Sequence, residues 1–260
     1  MERCEGLIIR VMDYRESDKI IRLYTKEHGK ISLVARGAKK SNSRIAAVTQ
    51  LFTYGEFMYF GNKGLGTIQQ GEVIERFPLI SQDIFTTAYA SYCVDLLDKA
   101  IEEREPNPAL FSLIYQVIEK MAAGENAHVI SQIFELKMLN VLGHYPEFRG
   151  CVLTGETEGP FDFSIKHNGL ISRRCFDEDP NRLQLSDKVI RLLRLYYLID
   201  FNRLGKIDVN DEVTKQVQWA IDTYYNEVSG LNLKTKRFLN QMSDWGSQMK
   251  VDTSEAAPPE

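Results

Sequence analysis

Val48-Thr49-Gln50-Leu51-Phe52-Thr53-Tyr54-Gly55-Glu56-Phe57-Met58-Tyr59-Phe60, Gly61-Asn62-Lys63-Gly64 and the run Gly66–Phe77 form the stretch on which the fold turns. Two β-rich runs flank a glycine-bounded turn, which is a strong hairpin signal. Toward the N-terminus, Glu5–Tyr14 alternates around Leu7, Ile9 and Val11. Lys19–Tyr24 and Lys30–Ala35 are short β-branched runs joined through His28-Gly29-Lys30. Five short strands with glycine turns in about 80 residues predict a closed five-stranded barrel of the OB type.

Toward the C-terminus, Pro78 marks a change of period. Ile84, Phe85, Ala88, Tyr92, Leu96, Leu97 and Ala100 recur at helical spacing, with Ser81 as the expected N-cap. A second helix carries Leu110, Phe111, Ile114, Val117, Ile118 and Met121, and a third, about 127–142, stops at Gly143 before Pro146. The helical pattern breaks over 146–178 and resumes near 186–200, 210–228 and 234–242. The fold class predicted is α+β: an OB-fold barrel over 1–80, then a helical domain over 81–243 with a hairpin inserted at 146–178. The tail 244–260, with Pro258-Pro259 and few apolar side chains, is expected to be flexible.

The net charge of −4 argues against a globally basic nucleic-acid binder, but its distribution does not. Residues 1–80 hold 13 Lys/Arg and 9 Asp/Glu, or +4, and the remainder hold 19 and 27, or −8. One end is therefore the electrostatic candidate for a polyanion. No apolar run approaches the ~18–20 residues of a membrane span. The acid-bearing start Met1-Glu2-Arg3-Cys4-Glu5 does not read as a secretion signal. Four cysteines in a chain of this size do not make a disulfide framework, so a reducing cytoplasm is expected.

The positive charge concentrates between Lys30 and Arg44, where Lys30, Arg36, Lys39, Lys40 and Arg44 stand with no acid between Glu27 and Glu56. Gly37, Ser41, Asn42 and Ser43 make this a mobile loop by composition. Such a loop suits a phosphate backbone, because Lys and Arg can follow a strand without fixed geometry. Arg10, Lys19 and Arg22 are candidates to extend the same face. The plain alternative is a solvated loop that happens to be positive. Phe52, Tyr54, Phe57, Tyr59 and Phe60 offer stacking surfaces for bases, although barrel core is the stronger reading for any one of them. By alternation, Tyr54 falls with Phe52 and Phe60, and Phe57 with Tyr59.

A third feature pairs Cys151-Val152-Leu153-Thr154 with Ser172-Arg173-Arg174-Cys175. Two C-x-x-C knuckles would hold a structural zinc, which wants four nitrogen or sulfur donors. Here Thr154 and Ser172 occupy the partner positions, and Cys151 and Cys175 remain as weak metal candidates. His144 and His167 stand at no recognised spacing. The expectation is a zinc-finger-like hairpin without its metal. No phosphate-binding glycine loop, nucleophile elbow or metalloprotease motif occurs, so no enzyme and no cofactor are expected.

The run Asp13-Tyr14-Arg15-Glu16-Ser17-Asp18-Lys19-Ile20-Ile21-Arg22-Leu23-Tyr24 through His28-Gly29-Lys30 resembles the bacterial recombination-mediator family RecO. The likeness continues through Ala35-Arg36-Gly37-Ala38-Lys39-Lys40-Ser41, the knuckle segment and Leu233-Lys234-Thr235-Lys236-Arg237-Phe238. The resemblance implies an N-terminal OB-fold and a helical domain carrying a zinc-finger-like hairpin. It implies binding of single- and double-stranded DNA, annealing of complementary strands, and action with RecR and often RecF. The same resemblance implies that RecA is helped onto strands coated by single-stranded-DNA-binding protein (SSB), partly by capture of the acidic SSB tail. A bacterial cytoplasmic protein, at the nucleoid during repair, follows. The DNA-binding role carries over best onto Arg36, Lys39, Lys40 and Arg44. Arg191 and Arg194, at helical i, i+3 spacing, are candidates for the SSB tail. An RNA-binding or purely adaptor OB module is the rival reading, and a metal-dependent nuclease the other.

Overall fold

The computed structural model describes residues 1–61, 64–205, 207 and 209–242, and the expected flexible tail 244–260 lies outside them. Its N-terminal strands are β1 (Glu2–Tyr14), β2 (Asp18–Thr25), β3 (Gly29–Ala35), β4 (Tyr54–Phe60) and β5 (Gly66–Glu75). They close a barrel in the order β1-β2-β3-β5-β4, with all neighbours antiparallel except the short parallel pairing of Leu33 and Val34 with Gly66 and Thr67. This five-stranded closure has the architecture expected of an OB-fold.

The strands lie near the expected positions, except that the fourth begins at Tyr54 rather than Val48, and β1 does not keep one alternation along its length. Its inward side chains are Cys4 and Ile8, then Val11, because the register shifts between Ile8 and Arg10. A bulge inserts one residue and reverses the parity of everything beyond it. Leu7 and Ile9 point outward yet are only 0% and 2% exposed, since α2 (Ile84–Ala100) packs on β1. A strand covered on both sides loses simple alternation. In β4, Phe57 and Tyr59 enter the barrel core and Phe60 is exposed.

Val48–Thr53 is not strand. Phe52 takes φ 64°, and the segment is a series of turns. The turns of the whole β3–β4 connection, 36–53, lay Ala38, Ile45, Val48 and Leu51 against the barrel core as a plug. Val48 sits where two strand glycines make room. A Cβ on Gly71 would lie 2.7 Å from Val48 Cγ1, and one on Gly55 would lie 3.1 Å from Val48 Cγ2 and 2.6 Å from the Glu72 carbonyl oxygen.

Helix α1 (Pro78–Gln82) is a single short turn, and α2 begins after Asp83 rather than Ser81. The Asp83 carboxylate accepts the Thr86 N–H at 2.7 Å, an N-cap that satisfies a free helix donor. Ser81 instead donates its hydroxyl to the Pro78 carbonyl.

The chain forms two compact units. The first runs through Phe111 and includes Met121–Ala123 and, among the described residues, Asn232–Met242, where residues 234–242 are helical. The second comprises Ser112–Lys120 and Gly124–Leu231. Helix α3 (Pro108–Ala122) contributes to both.

Within the second unit, α4 (Ala127–Val141) is buried on most of its surface and packs against α5 (Asp187–Leu198) and α6 (Asp211–Val228). Between α4 and α5 lies a hairpin, β6 (Phe161–Ser164) with β7 (Gly169–Ser172). Phe163 stacks on Phe148 at 5.2 Å and meets Tyr224 of α6 edge-on at 5.3 Å. Asp162, 3% exposed, accepts the Gln184 and Leu185 N–H groups and pairs with Arg182, which fixes the path from hairpin to α5.

A candidate nucleic-acid interface on the barrel

The β3–β4 connection carries the basic run, and Arg36, Lys39, Lys40 and Arg44 are all exposed. It is not a free loop of the kind its composition suggests. Gly37, at φ 66°, turns the chain in a conformation that side-chain-bearing residues avoid. Its N–H donates to Asp18 Oδ1 at 2.8 Å, and the Lys39 N–H donates to the Ser17 carbonyl at 2.9 Å. Ala38, 3% exposed, is drawn into the core between them. Lys40 and Ser43 continue the turns by donating to the Gly37 and Lys40 carbonyls. A basic segment anchored in this way presents its cations from a defined place.

Charge pairing separates these cations. Lys39 Nζ lies 3.3 Å from Asp13 Oδ2, a pair whose members are 32% and 74% exposed and therefore weak. No ion pair among the described residues engages Arg36, Lys40 or Arg44. The Gly37 N–H, opposed by burial and aided by Ser17, Arg15 and Arg36, holds the Asp18 carboxyl below the ordinary carboxylate range. Arg15, which sequence reasoning passed over, is exposed in the β1–β2 turn with its guanidinium 5.1 Å over the Tyr14 ring. Nothing in the composition distinguishes Arg15 from other surface arginines; only the approach of the two turns does.

Lys19 and Arg22 are placed differently from each other. Lys19 is half-buried near the same end of the barrel, with Asp13 and Ala35 as its register partners. The Arg22 guanidinium faces α2 and binds Asp98 Oδ2 at 2.5 Å. Arg10 reaches the same oxygen at 3.1 Å and Asp95 at 3.6 Å, and Lys30 Nζ lies 3.4 Å from Asp98 Oδ1. Lys30 also donates to the Asp98 and Ile101 carbonyls at 2.6 and 2.7 Å. Arg10, Arg22 and Lys30 thus fasten the barrel to α2, and their positive charge is answered internally.

In the second unit, Arg191 is exposed on α5, one and two turns before the exposed Leu195 and Leu198. Arg194 turns toward the knuckle instead. It donates to the Arg149 carbonyl at 2.8 Å and lies 5.3 Å over the Phe161 ring. Arg191 and Arg194 therefore do not form one cationic pair.

The hairpin brings all four knuckle positions together. Burial pushes the Cys151 thiol up, but hydrogen bonds from Thr154, from the Ser172 and Leu153 backbone and from the Ser172 hydroxyl outweigh it and lower its pKa to about 6. Burial raises Cys175, whose sulfur accepts from Ser172 Oγ at 3.9 Å and which is also hydrogen-bonded to Cys151. Two sulfurs and two hydroxyls do not fit a structural zinc, and among the described residues no three His, Cys, Asp or Glu side chains gather around one point. The hydroxyls act as donors to sulfur, the role opposite to that of a metal ligand.

Among the described residues no helix is long and apolar enough to cross a membrane. The family model described as "Recombination protein O N terminal" matches residues 1–77, and "Recombination protein O C terminal" matches residues 81–237. The chain is 55% identical to "DNA repair protein RecO" of Listeria innocua over 255 residues, 98% of this chain and 100% of that one. It is equally similar to the Listeria monocytogenes serotype 4b protein of that name over the same spans, at 55%. The Bacillus pumilus protein is 49% identical over 240 residues, 92% of this chain and 94% of its own. The barrel, the helical unit and these matches along nearly the whole length agree that the chain belongs to the RecO family of DNA repair proteins.

Proposed function

We propose that this protein is a non-enzymatic recombination mediator that captures the DNA backbone on its barrel and anneals complementary strands. With RecR it helps load RecA onto SSB-coated DNA. The observation that carries this reading is the set of exposed cations, Arg36, Lys39, Lys40 and Arg44, held in place on a closed barrel by the β1–β2 turn. Neutralising phosphates on two strands lowers their mutual repulsion, and annealing follows without covalent chemistry. Arg22 is left out of the contact set because Asp98 occupies it.

The exposed stripe Arg191, Leu195 and Leu198 on α5 supports docking of the SSB tail, since an acidic, apolar-ended peptide needs a cation beside apolar surface.

The test is annealing of labelled complementary strands, bare and SSB-coated. Wild type is expected to accelerate both. Replacing Arg36, Lys39, Lys40 and Arg44 by Ala removes the acceleration at unchanged melting temperature. Arg191→Glu with Leu195→Asp slows only the coated reaction. With about five phosphates engaged, single-strand affinity falls with salt at a log–log slope of roughly −3.5. A slope near zero, or equal binding of matched RNA, favours the adaptor or RNA reading. Strand degradation on adding magnesium overturns the non-enzymatic one.

A further inference from the structure

An acid inside a polyanion-binding surface needs a reason. Asp18 adjoins the first cations of the basic connection and lies in the field of both Arg15 and Arg36. By charge alone it weakens DNA binding. By geometry it does the reverse. Its carboxylate accepts the Gly37 N–H at 2.8 Å at the point where φ 66° reverses the chain, and the next residue, Ala38, is buried. The neighbouring bond from the Lys39 N–H to the Ser17 carbonyl completes a two-point tether. Arg36 and Lys39 therefore leave the barrel from a backbone whose position the β1–β2 turn sets. Arg15, in the same turn at φ 51°, lies 5.1 Å over Tyr14 and takes part in no ion pair among the described residues.

Resting on the reading of the basic connection as the DNA contact, we infer that Asp18 is a positioning residue for backbone capture and that Arg15 is a fifth member of the contact set. Asp18 acts through the Gly37 amide and touches no phosphate. Arg15 contributes a cation from the β1–β2 turn, to which the basic connection is tethered.

Two substitutions separate position from charge in the full-length protein. Asp18→Asn removes the charge and keeps a carbonyl acceptor at the same reach, whereas Asp18→Glu keeps the charge and displaces the acceptor by one methylene. Binding to a fluorescent oligothymidylate is titrated at several salt concentrations, with amide exchange followed over 36–40 and over the barrel strands. Asp18→Asn is expected to bind as tightly as wild type or up to about 5-fold tighter. Asp18→Glu is expected to bind about 5-fold more weakly, with faster exchange at 36–40 and unchanged exchange in the strands. Arg15→Ala makes the salt slope shallower by roughly 0.7, the value of one single-strand phosphate. Wild-type affinity in Asp18→Glu, or equal weakening in both Asp18 variants, overturns the positioning role. An unchanged slope in Arg15→Ala removes Arg15 from the set. The quadruple Ala variant runs in parallel. If it binds as wild type, the DNA-contact reading itself has failed; if it loses binding while Asp18→Glu does not, only this inference has.

Discussion

At the scale of single residues, Asp98 is the point on which three cations of the barrel converge. Its side chain is 0% exposed and is approached by Arg10, Arg22 and Lys30. Burying a carboxylate costs several kcal/mol unless it is paired, and removing one member of a buried cluster leaves the others uncompensated. Asp98→Ala is therefore expected to lower stability by about 3–5 kcal/mol, read from urea unfolding of the full chain. A loss under about 1 kcal/mol, the range of exposed pairs, would show that water reaches the cluster. None of this was readable in advance. Arg22 and Arg36 look alike as letters, and their fates differ because α2 covers one and solvent the other.

At the scale of elements, the knuckle and the β3–β4 connection show how a local pattern is reinterpreted by its surroundings. The cysteine spacing located a hairpin with two facing arms, and the structure brings Cys151, Thr154, Ser172 and Cys175 together at it. What spacing did not reveal is that Thr154 and Ser172 donate hydrogen bonds to sulfur and hold the Cys151 pKa near 6. The folded value lies below the ordinary thiol value of 9.0, so the folded state is favoured by ionisation. This contribution is fully present above about pH 9, grows between about 6 and 9, and is lost as pH falls through 6. Cys175, raised by burial, opposes it only above the ordinary thiol range. Thiolate absorbance near 240 nm should show one thiol of the folded chain titrating near pH 6, moved upward in Thr154→Val. A single transition at ordinary thiol pH in both proteins would remove the sulfur-centred account. In the β3–β4 connection, glycine and serine content suggested mobility. Val48 seated between Gly55 and Gly71, and Asp18 on Gly37, supply anchors that composition does not encode.

At the scale of the molecule, the change of period at Pro78 lies just after the barrel's last strand, and the compact unit that holds the barrel continues through Phe111. Lys30, 6% exposed, is answered by groups between Asp98 and Ile101, and Tyr24 packs against Phe111 with ring centroids 5.9 Å apart. A fragment ending at residue 80 leaves Arg10, Arg22 and Lys30 without Asp98, and uncovers Leu7 and Ile9. It is expected to melt without a cooperative transition by circular dichroism, whereas the full chain melts with one. A cooperative melt of the shorter fragment would show that the barrel stands without α2.

The sequence by itself determined the order of elements, the barrel closure class and the place of the basic run. Those properties rest on local periodicity, turn chemistry and residue type, which act over a few positions along the chain. Tertiary structure decided which cations face solvent and which are consumed by Asp98, which side of β1 is inward after its bulge, and where the first compact unit stops. Each of those depends on groups distant in the chain meeting in space, where burial fixes the energy of a charge and register fixes the direction of a side chain.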